Sequence, residues 1–422
     1  MTVTKSTFRQ TGIMFLTAVL AVTVLSSCGR KRPMDPEADK YQKEGIKCTQ
    51  EGRFDDAISN LDKAIKISPR QATLYVDRGT ACLLKGAHPQ AITDFDKAAK
   101  LDPKNASAFY NRGNAYYLSG DSNKALRDYA KALELDPKNV GIYHNRGFVY
   151  NALNLYNQSI PDFDKAIELG GDSPALYYER GRAYLAIGQA DSALSDFDKA
   201  IQLDSTPAAF HLHRGYAYLM QGANEKAIEN FTKAIEINPD YLPAYQGRWT
   251  VYLKQELYDK GIVDLDAAIA KAPQFAPAYQ TRSYAYLMKG LYQKSLSDIN
   301  KAIELSPDNS VFHMDRGYAY LMEGLNDNAI TEFNKAIEID SGNVIAYFNR
   351  ACAYNEKGIN AKVNADLSEI VKLAPQAAGI YTQNIQAGRS ETESLEAFKG
   401  FVLGEFKKQK EMYLGRKNAA KI

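Results

Sequence analysis

The chain has 422 residues, 45% of them apolar and 24% charged, with a formal net charge of +2. Those shares are typical of globular proteins and exclude a chain that is disordered over most of its length. From Cys28 onward 50 basic side chains stand against 50 acidic ones, so the chain lacks the basic stripe that a nucleic-acid track needs to displace counterions.

In chain order the first element is a leader. Lys5 and Arg9 precede a 14-residue apolar run from Gly12 to Leu25, followed by Leu-Ser-Ser-Cys at Leu25 to Cys28. A charged start and a short apolar core describe a secretory signal over 1–27. The Leu-Ser-Ser-Cys string resembles the bacterial lipobox, which implies cleavage before Cys28 and lipidation of that cysteine, with 28–37 as a short tether. The expected location is therefore a bacterial cell envelope, membrane-anchored, on an unspecified leaflet. An uncleaved anchor is the alternative, because residues 10–29 carry no charge and are just long enough to span a bilayer. Cys48, Cys82 and Cys352 remain. Cys48 and Cys82 are one repeat apart, and packed helix axes lie about 8–10 Å from each other, too far for a bridge; three free, packed thiols are expected.

A fixed interval governs the next 340 residues. Arg-Gly-Tyr-Ala-Tyr-Leu-Met occurs at Arg214 to Met220 and again at Arg316 to Met322, with Arg-Ser-Tyr-Ala-Tyr-Leu-Met between them at Arg282 to Met288. The spacing is 34, and the arginine recurs at Arg78, Arg112, Arg146, Arg180, Arg214, Arg248, Arg282, Arg316 and Arg350. Ten units follow without insertion: 38–71, 72–105, 106–139, 140–173, 174–207, 208–241, 242–275, 276–309, 310–343 and 344–377. In the third, Asn105 can cap a helix whose apolar positions include Phe109, Gly113 and Tyr116 and which ends at Gly120. A second helix begins near Asp121, presents Ala125, Tyr129 and Ala132, and stops before Pro137. Each unit is a helical hairpin that buries its faces only by stacking on its neighbours.

Recurring residues suggest how the stack packs. Glycines at Gly79, Gly113, Gly147, Gly181, Gly215 and Gly317 are expected opposite alanines such as Ala91 and Ala125. Tyrosines from Tyr116 to Tyr354 serve as large fillers against Phe95, Tyr129, Phe163, Phe197, Phe231 and Phe333. Trp249 replaces the glycine in unit seven while Gly261 replaces the alanine, a volume exchange. Carboxylates at Asp94, Asp128, Asp162, Asp196, Asp264, Asp298, Glu332 and Asp366 keep the same period, so a ladder of arginine–carboxylate pairs is expected between the helices of each hairpin.

This order of aromatic, glycine, tyrosine, alanine, phenylalanine, alanine and proline over 34 residues resembles the tetratricopeptide repeat (TPR). The resemblance implies an all-α solenoid, a right-handed superhelix of ten helix-turn-helix repeats whose first helices line a concave groove that grips other proteins. The arginine departs from the family, which usually has leucine there. Carried over residue by residue, the groove offsets place Tyr110, Tyr117, Phe148, Tyr178, Arg182, Tyr216, Met220, Tyr284, Met288, Met314, Tyr318 and Met322 on the partner-binding face. Tyrosine and methionine suit an adaptable peptide wall, and the same positions equally fit packing against the adjacent first helix.

Beyond 377, the segment 378–422 starts with the aromatic period at Tyr381. It continues through a capping box at Ser390 and Glu393 into a helix expected to close the end of the stack, and ends in a basic tail. No catalytic constellation stands out: the five histidines are scattered and no nucleophile elbow, zinc-protease helix or phosphate loop is present. The expectation is a non-enzymatic protein-interaction scaffold, lipid-anchored through Cys28, with other proteins as partners and no cofactor, metal, nucleic acid or small-molecule substrate. An accessory subunit of an envelope enzyme or assembly machine is the alternative, and an RNA-binding helical repeat a more distant one.

Overall fold

A computed structural model describes residues 34–376 and 378–419; the leader and Cys28 lie outside the described residues. Among the described residues there are twenty-two helices and no strand, and none of these helices is long and apolar enough to cross a membrane. Ten helical hairpins follow the 34-residue register, from Pro36–Gln50 with Phe54–Ile67 to Val344–Glu356 with Asn360–Leu373. In each, the first helix is called A and the second B below. The caps are where the sequence puts them in unit three: the Asn105 side chain accepts from the Ala108 amide, and Asp121 accepts from the Lys124 amide.

Most A–B turns use a glycine in the left-handed region, as at Gly120 with φ 88°, a conformation free of strain only without a Cβ. Units four and seven hold Asn154 and Glu256 there instead, at φ 60° and 59°.

Contacts divide the chain into two compact bodies, Met1–Ala223 and Asn224–Ile422, with the division inside the sixth repeat. At that point Asn230 stands in the register of the repeating carboxylate.

Within each body the A and B helices lock through a small-for-large exchange. The glycine of helix A does not face the alanine of helix B; it faces the aromatic ring four residues further on. A Cβ on Gly79 would lie 2.7 Å from Phe95, on Gly113 2.8 Å from Tyr129, and on Gly181 2.8 Å from Phe197. Those rings are fully buried. In three units a larger A-helix residue stands in register with a B-helix aliphatic, Trp249 with Leu265, Ser283 with Ile299 and Ala351 with Leu367, whereas in the first unit Gly45 still meets Leu61, a Cβ on it lying 2.6 Å from that side chain. Trp249 and Leu265 share one buried cluster, whereas Gly261 lies against Leu253. The partner in the unit-seven exchange is thus Leu265 rather than Gly261, because volume is balanced along the line where the two helices touch. Of the tyrosines four residues after each arginine, Tyr354 is core filler as expected, at 7% exposure, while others sit at the edge of the core. Tyr116, Tyr184 and Tyr286 are half-buried and lie 5.8–6.0 Å from the guanidinium carbons of Arg112, Arg180 and Arg282.

The arginine ladder is present and is broader than the hairpin. Arg180 donates through Nε and Nη2 to Asp196 of its own unit at 2.8 and 2.6 Å, and through Nη1 to Asp164 of the preceding unit at 2.6 Å. Arg78 and Arg112 do the same with Asp94 and Asp62, and with Asp128 and Asp96. Cys48, Cys82 and Cys352 are buried free thiols.

The ring slot makes a counterintuitive prediction. Alanine normally stabilises a helix interior by about 1 kcal/mol over glycine, yet Gly181→Ala forces its methyl into the Phe197 ring. It is expected to destabilise the protein by about 1–3 kcal/mol. Adding Phe197→Leu should recover most of the loss, as the Ala351–Leu367 pair already does, and urea denaturation followed by circular dichroism checks both variants.

Candidate functional site

The candidate surface is the face formed by the A helices, treated separately in each body. On it, in five pairs of successive units, the residue two before the arginine position reaches the residue one before the arginine of the next unit. This contact spans 35 positions and produces a polar seam. The Gln42 amide donates to Asp77 at 2.6 Å, Asn145 donates to the Tyr110 hydroxyl at 2.9 Å, and the Tyr178 hydroxyl lies 3.2 Å from His213 Nδ1. In the second body Gln280 donates to Asp315 at 2.7 Å, and Asn349 donates to the Met314 sulfur at 3.6 Å. Tyr110, Tyr178 and Met314 therefore act first as contacts between successive A helices.

The expected wall residues separate accordingly. Tyr178, Met288 and Met322 are buried, at 8%, 7% and 3% exposure, which withdraws them from an open wall. The ring of Tyr178 packs 4.7 Å from Phe210, and Met288 and Met322 belong to the main apolar cluster of the second body. Met220 and Tyr284 stay open, at 49% and 46%. Tyr216 is half-buried, with its ring edge-on to His213 at 6.2 Å. Tyr117 and Phe148, from adjacent units, meet edge to face at 5.9 Å and 86° and remain half-buried. Tyr318 donates to Gln409 of the last helix at 3.3 Å. The exposed wall thus comes from Tyr284 and Met220, with Phe148, Tyr216 and Tyr318 half-open beside the A helices, since the position two before the arginine points along the stack.

Arg182 is held in place by its own helix. Its Nη1 donates to both carboxylate oxygens of Glu179 at 3.0 and 2.9 Å, and its guanidinium carbon lies 5.7 Å from the Tyr178 ring centre. Asn151 donates to the same carboxylate at 3.1 Å and to the Glu179 carbonyl at 2.9 Å. A second buried network joins Asn114, which accepts from Tyr129 at 2.7 Å and from Asn145 at 2.9 Å. Burial pushes the Tyr110 phenol up to about 12. Burial, with Arg182 adding to it, holds the His213 imidazole down to about 4, so it is neutral near pH 7. Glu179 and Asn151 escaped sequence reasoning. Their bond joins residues 28 positions apart, off the repeat interval, so no periodic pattern signalled it.

These arrangements position side chains for non-covalent contact. Stacked helical hairpins with an aromatic A-helix face define a helical-repeat scaffold, a class whose members typically serve interaction rather than catalysis. Sequence models described as "TPR repeat" match residues 79–120, 113–154 and 317–358, and models described as "Tetratricopeptide repeat" match 145–209, 178–241 and 276–309. Together they cover more than half of the chain. The chain belongs to the tetratricopeptide repeat family, whose members generally mediate protein–protein interaction.

No curated protein matches the chain. Among solved structures it is similar to YrrB, described as a TPR protein with an unusual peptide-binding site. That similarity has 27% identity, 44% of this chain and 97% of the other covered, and a TM-score of 0.42. It is similar to MamA at 30% identity, covering 39% of this chain and 96% of MamA, with a TM-score of 0.37. A tetratricopeptide repeat protein from Parabacteroides merdae is 20% identical over 60% of this chain and 99% of its own, with a TM-score of 0.45.

The polar seam carries a pH prediction. Burial pushes the carboxyls of Asp77 and Asp315 up to about 6, only partly offset by the glutamine amides that bond them, against about 3.9 in an unfolded chain. Between these values the folded state binds more protons, so stability falls as pH rises from about 4 to 6 and the cost is fully present above that. Asp77→Asn and Asp315→Asn keep the glutamine bond and remove the charge. Each is expected to stabilise by about 1–2 kcal/mol at pH 8 and to be neutral at pH 4, as read by melting temperature at the two values.

Proposed function

We propose that this protein is a non-enzymatic scaffold of a bacterial cell envelope, tethered by a lipid on Cys28, that holds protein partners on the A-helix faces of its repeats. The observation that carries the reading is the set of aromatic and thioether side chains left open on those faces, Met220 and Tyr284 above all, on a scaffold of near-neutral charge. Solvent-exposed tyrosine provides a large, rigid contact area and methionine a flexible, polarisable one that adapts to segments of differing shape. Similarity to YrrB, whose description names a peptide-binding site, is in keeping with this use. The tether rests on the leader, where a charged start, a short apolar run and small residues lead to Cys28.

Two experiments test the two halves. In a crosslinked pull-down from the native envelope, the Tyr216→Ala, Met220→Ala and Tyr284→Ala triple variant is expected to lose a defined partner while keeping its helical signal and melting temperature. An unchanged partner set would move binding off this face. Cys28→Ala is expected to abolish labelling by a fatty-acid analogue and release the protein from the membrane fraction; labelling that persists would refute lipidation at this residue.

A further inference from the structure

The last helix, Glu391–Ala419, is more than a cap. It begins with the expected capping box, the Glu393 carboxylate accepting from the Ser390 amide at 3.0 Å and the Ser390 hydroxyl accepting from the Glu393 amide at 3.3 Å. From there Phe398, Val402 and Phe406, spaced i, i+4 and i+8, are 1–3% exposed and join the apolar cluster of repeats eight to ten. One turn later the helix reaches the A-helix face itself. Gln409 accepts from Tyr318, and Lys410 pairs with Glu356. Tyr318 stands two residues after the arginine of repeat nine, and Glu356 six after that of repeat ten. The same two offsets leave Tyr284 and Met220 open to solvent in other repeats. At the end of the array, those positions are covered by the chain's own helix.

Helix composition adds a second observation. Gly400 and Gly404 lie inside it, and a Cβ on either would meet nothing within 4 Å. Packing does not require them, and interior glycines weaken a helix relative to alanine. The stretch from Phe398 to Phe406 that seats this helix is therefore weakened at two positions without any packing gain in return.

We infer that the segment from Phe398 to Lys410 is an intramolecular occupant of the A-helix face of repeats nine and ten, an autoinhibitory contact that a competing helix displaces. The competitor's chemistry follows from the resident: an amphipathic helix with large apolar residues at i, i+4 and i+8 and a glutamine and a lysine at i+11 and i+12, the lysine meeting Glu356. Its release exposes Tyr318 and Glu356. The inference concerns this chain's own helix and stands apart from the lipid tether and from the identity of any partner.

The test uses the full chain and a fluorescein-labelled synthetic peptide of residues 396–419, read by anisotropy. Lys410→Glu places two carboxylates together and loosens the resident helix. It is expected to bind the peptide at least tenfold more tightly than wild type. Gly400→Ala with Gly404→Ala stiffens the resident helix without touching the packed face, and is expected to bind several-fold more weakly than wild type. Glu356→Lys, added to Lys410→Glu, should abolish binding of the peptide by repelling its lysine. Equal peptide affinity in wild type, Lys410→Glu and the double alanine variant, all with native circular dichroism, would overturn the inference. So would a wild-type dimer in light scattering that exchanges subunits through this helix.

Discussion

In most repeats one side chain holds two repeats in register. In its two-sided form the arginine that opens the recurring motif grips a carboxylate on the B helix of its own hairpin, 16 residues ahead, and an acceptor on the preceding B helix, 16 residues behind; Arg146 pairs ahead with Asp162 but has Ala130 behind it, and Arg214 pairs behind with Asp198. Asp196 and Asp164 around Arg180 are the full form, and Asp298 and Asp266 around Arg282 repeat it. Asn300 and Asn334 serve as the rear acceptor for Arg316 and Arg350, and Thr232 for Arg248. The guanidinium lies between aromatic faces, as Arg350 does at 5.3 Å from Tyr347 and 5.9 Å from Tyr354. Planar delocalised charge suits both contacts at once, which a lysine could not supply.

Such a link acts more through geometry than through raw energy. Burial pushes the carboxyls of Asp162, Asp196, Asp264 and Asp366 up, against the pull of their arginines. A partly buried ion pair that only roughly repays its desolvation contributes little as a unit, but losing one member strands the other. The ring slot complements it: the glycine following the arginine brings the A helix onto the Phe or Tyr of the B helix. Arginine and glycine are adjacent in sequence because they act on adjacent lines of the same helix contact. With hairpins fixed this way, the A-helix face becomes a row of positions each repeat can vary, and its variation is what distinguishes one repeat from another.

The 34-residue period made the helices, their caps and the ring-bearing positions readable, because each is set by residues close in sequence. The own-hairpin carboxylates were also visible, as Asp94 to Asp366 share one register. The rear acceptors were not inferred, although Asp94-Phe-Asp96, Asp162-Phe-Asp164 and Asp196-Phe-Asp198 carry the sign of them: the second aspartate of each triplet lies outside the hairpin's own contact and makes sense only once the next repeat is stacked on it. Similarly, counting offsets along one helix placed Tyr178, Met288 and Met322 on the wall, but which offsets are open depends on the neighbouring helix. Tyr178 is covered because His213 and Phe210 of the following unit stand over it. The last helix was expected as a cap from its capping box; its reach to Tyr318 depends on a contact 91 positions apart in the chain, beyond any local pattern.

The most direct test is a set of urea denaturation curves for Arg180→Leu, Asp196→Leu and the double variant, with partner capture measured alongside. A structural arginine predicts that Arg180→Leu costs about 2–4 kcal/mol by stranding Asp196, that the double variant recovers most of this, and that capture survives wherever the fold does. Unchanged stability in Arg180→Leu together with lost capture would contradict the account, by showing that the arginines face a ligand rather than the neighbouring repeat.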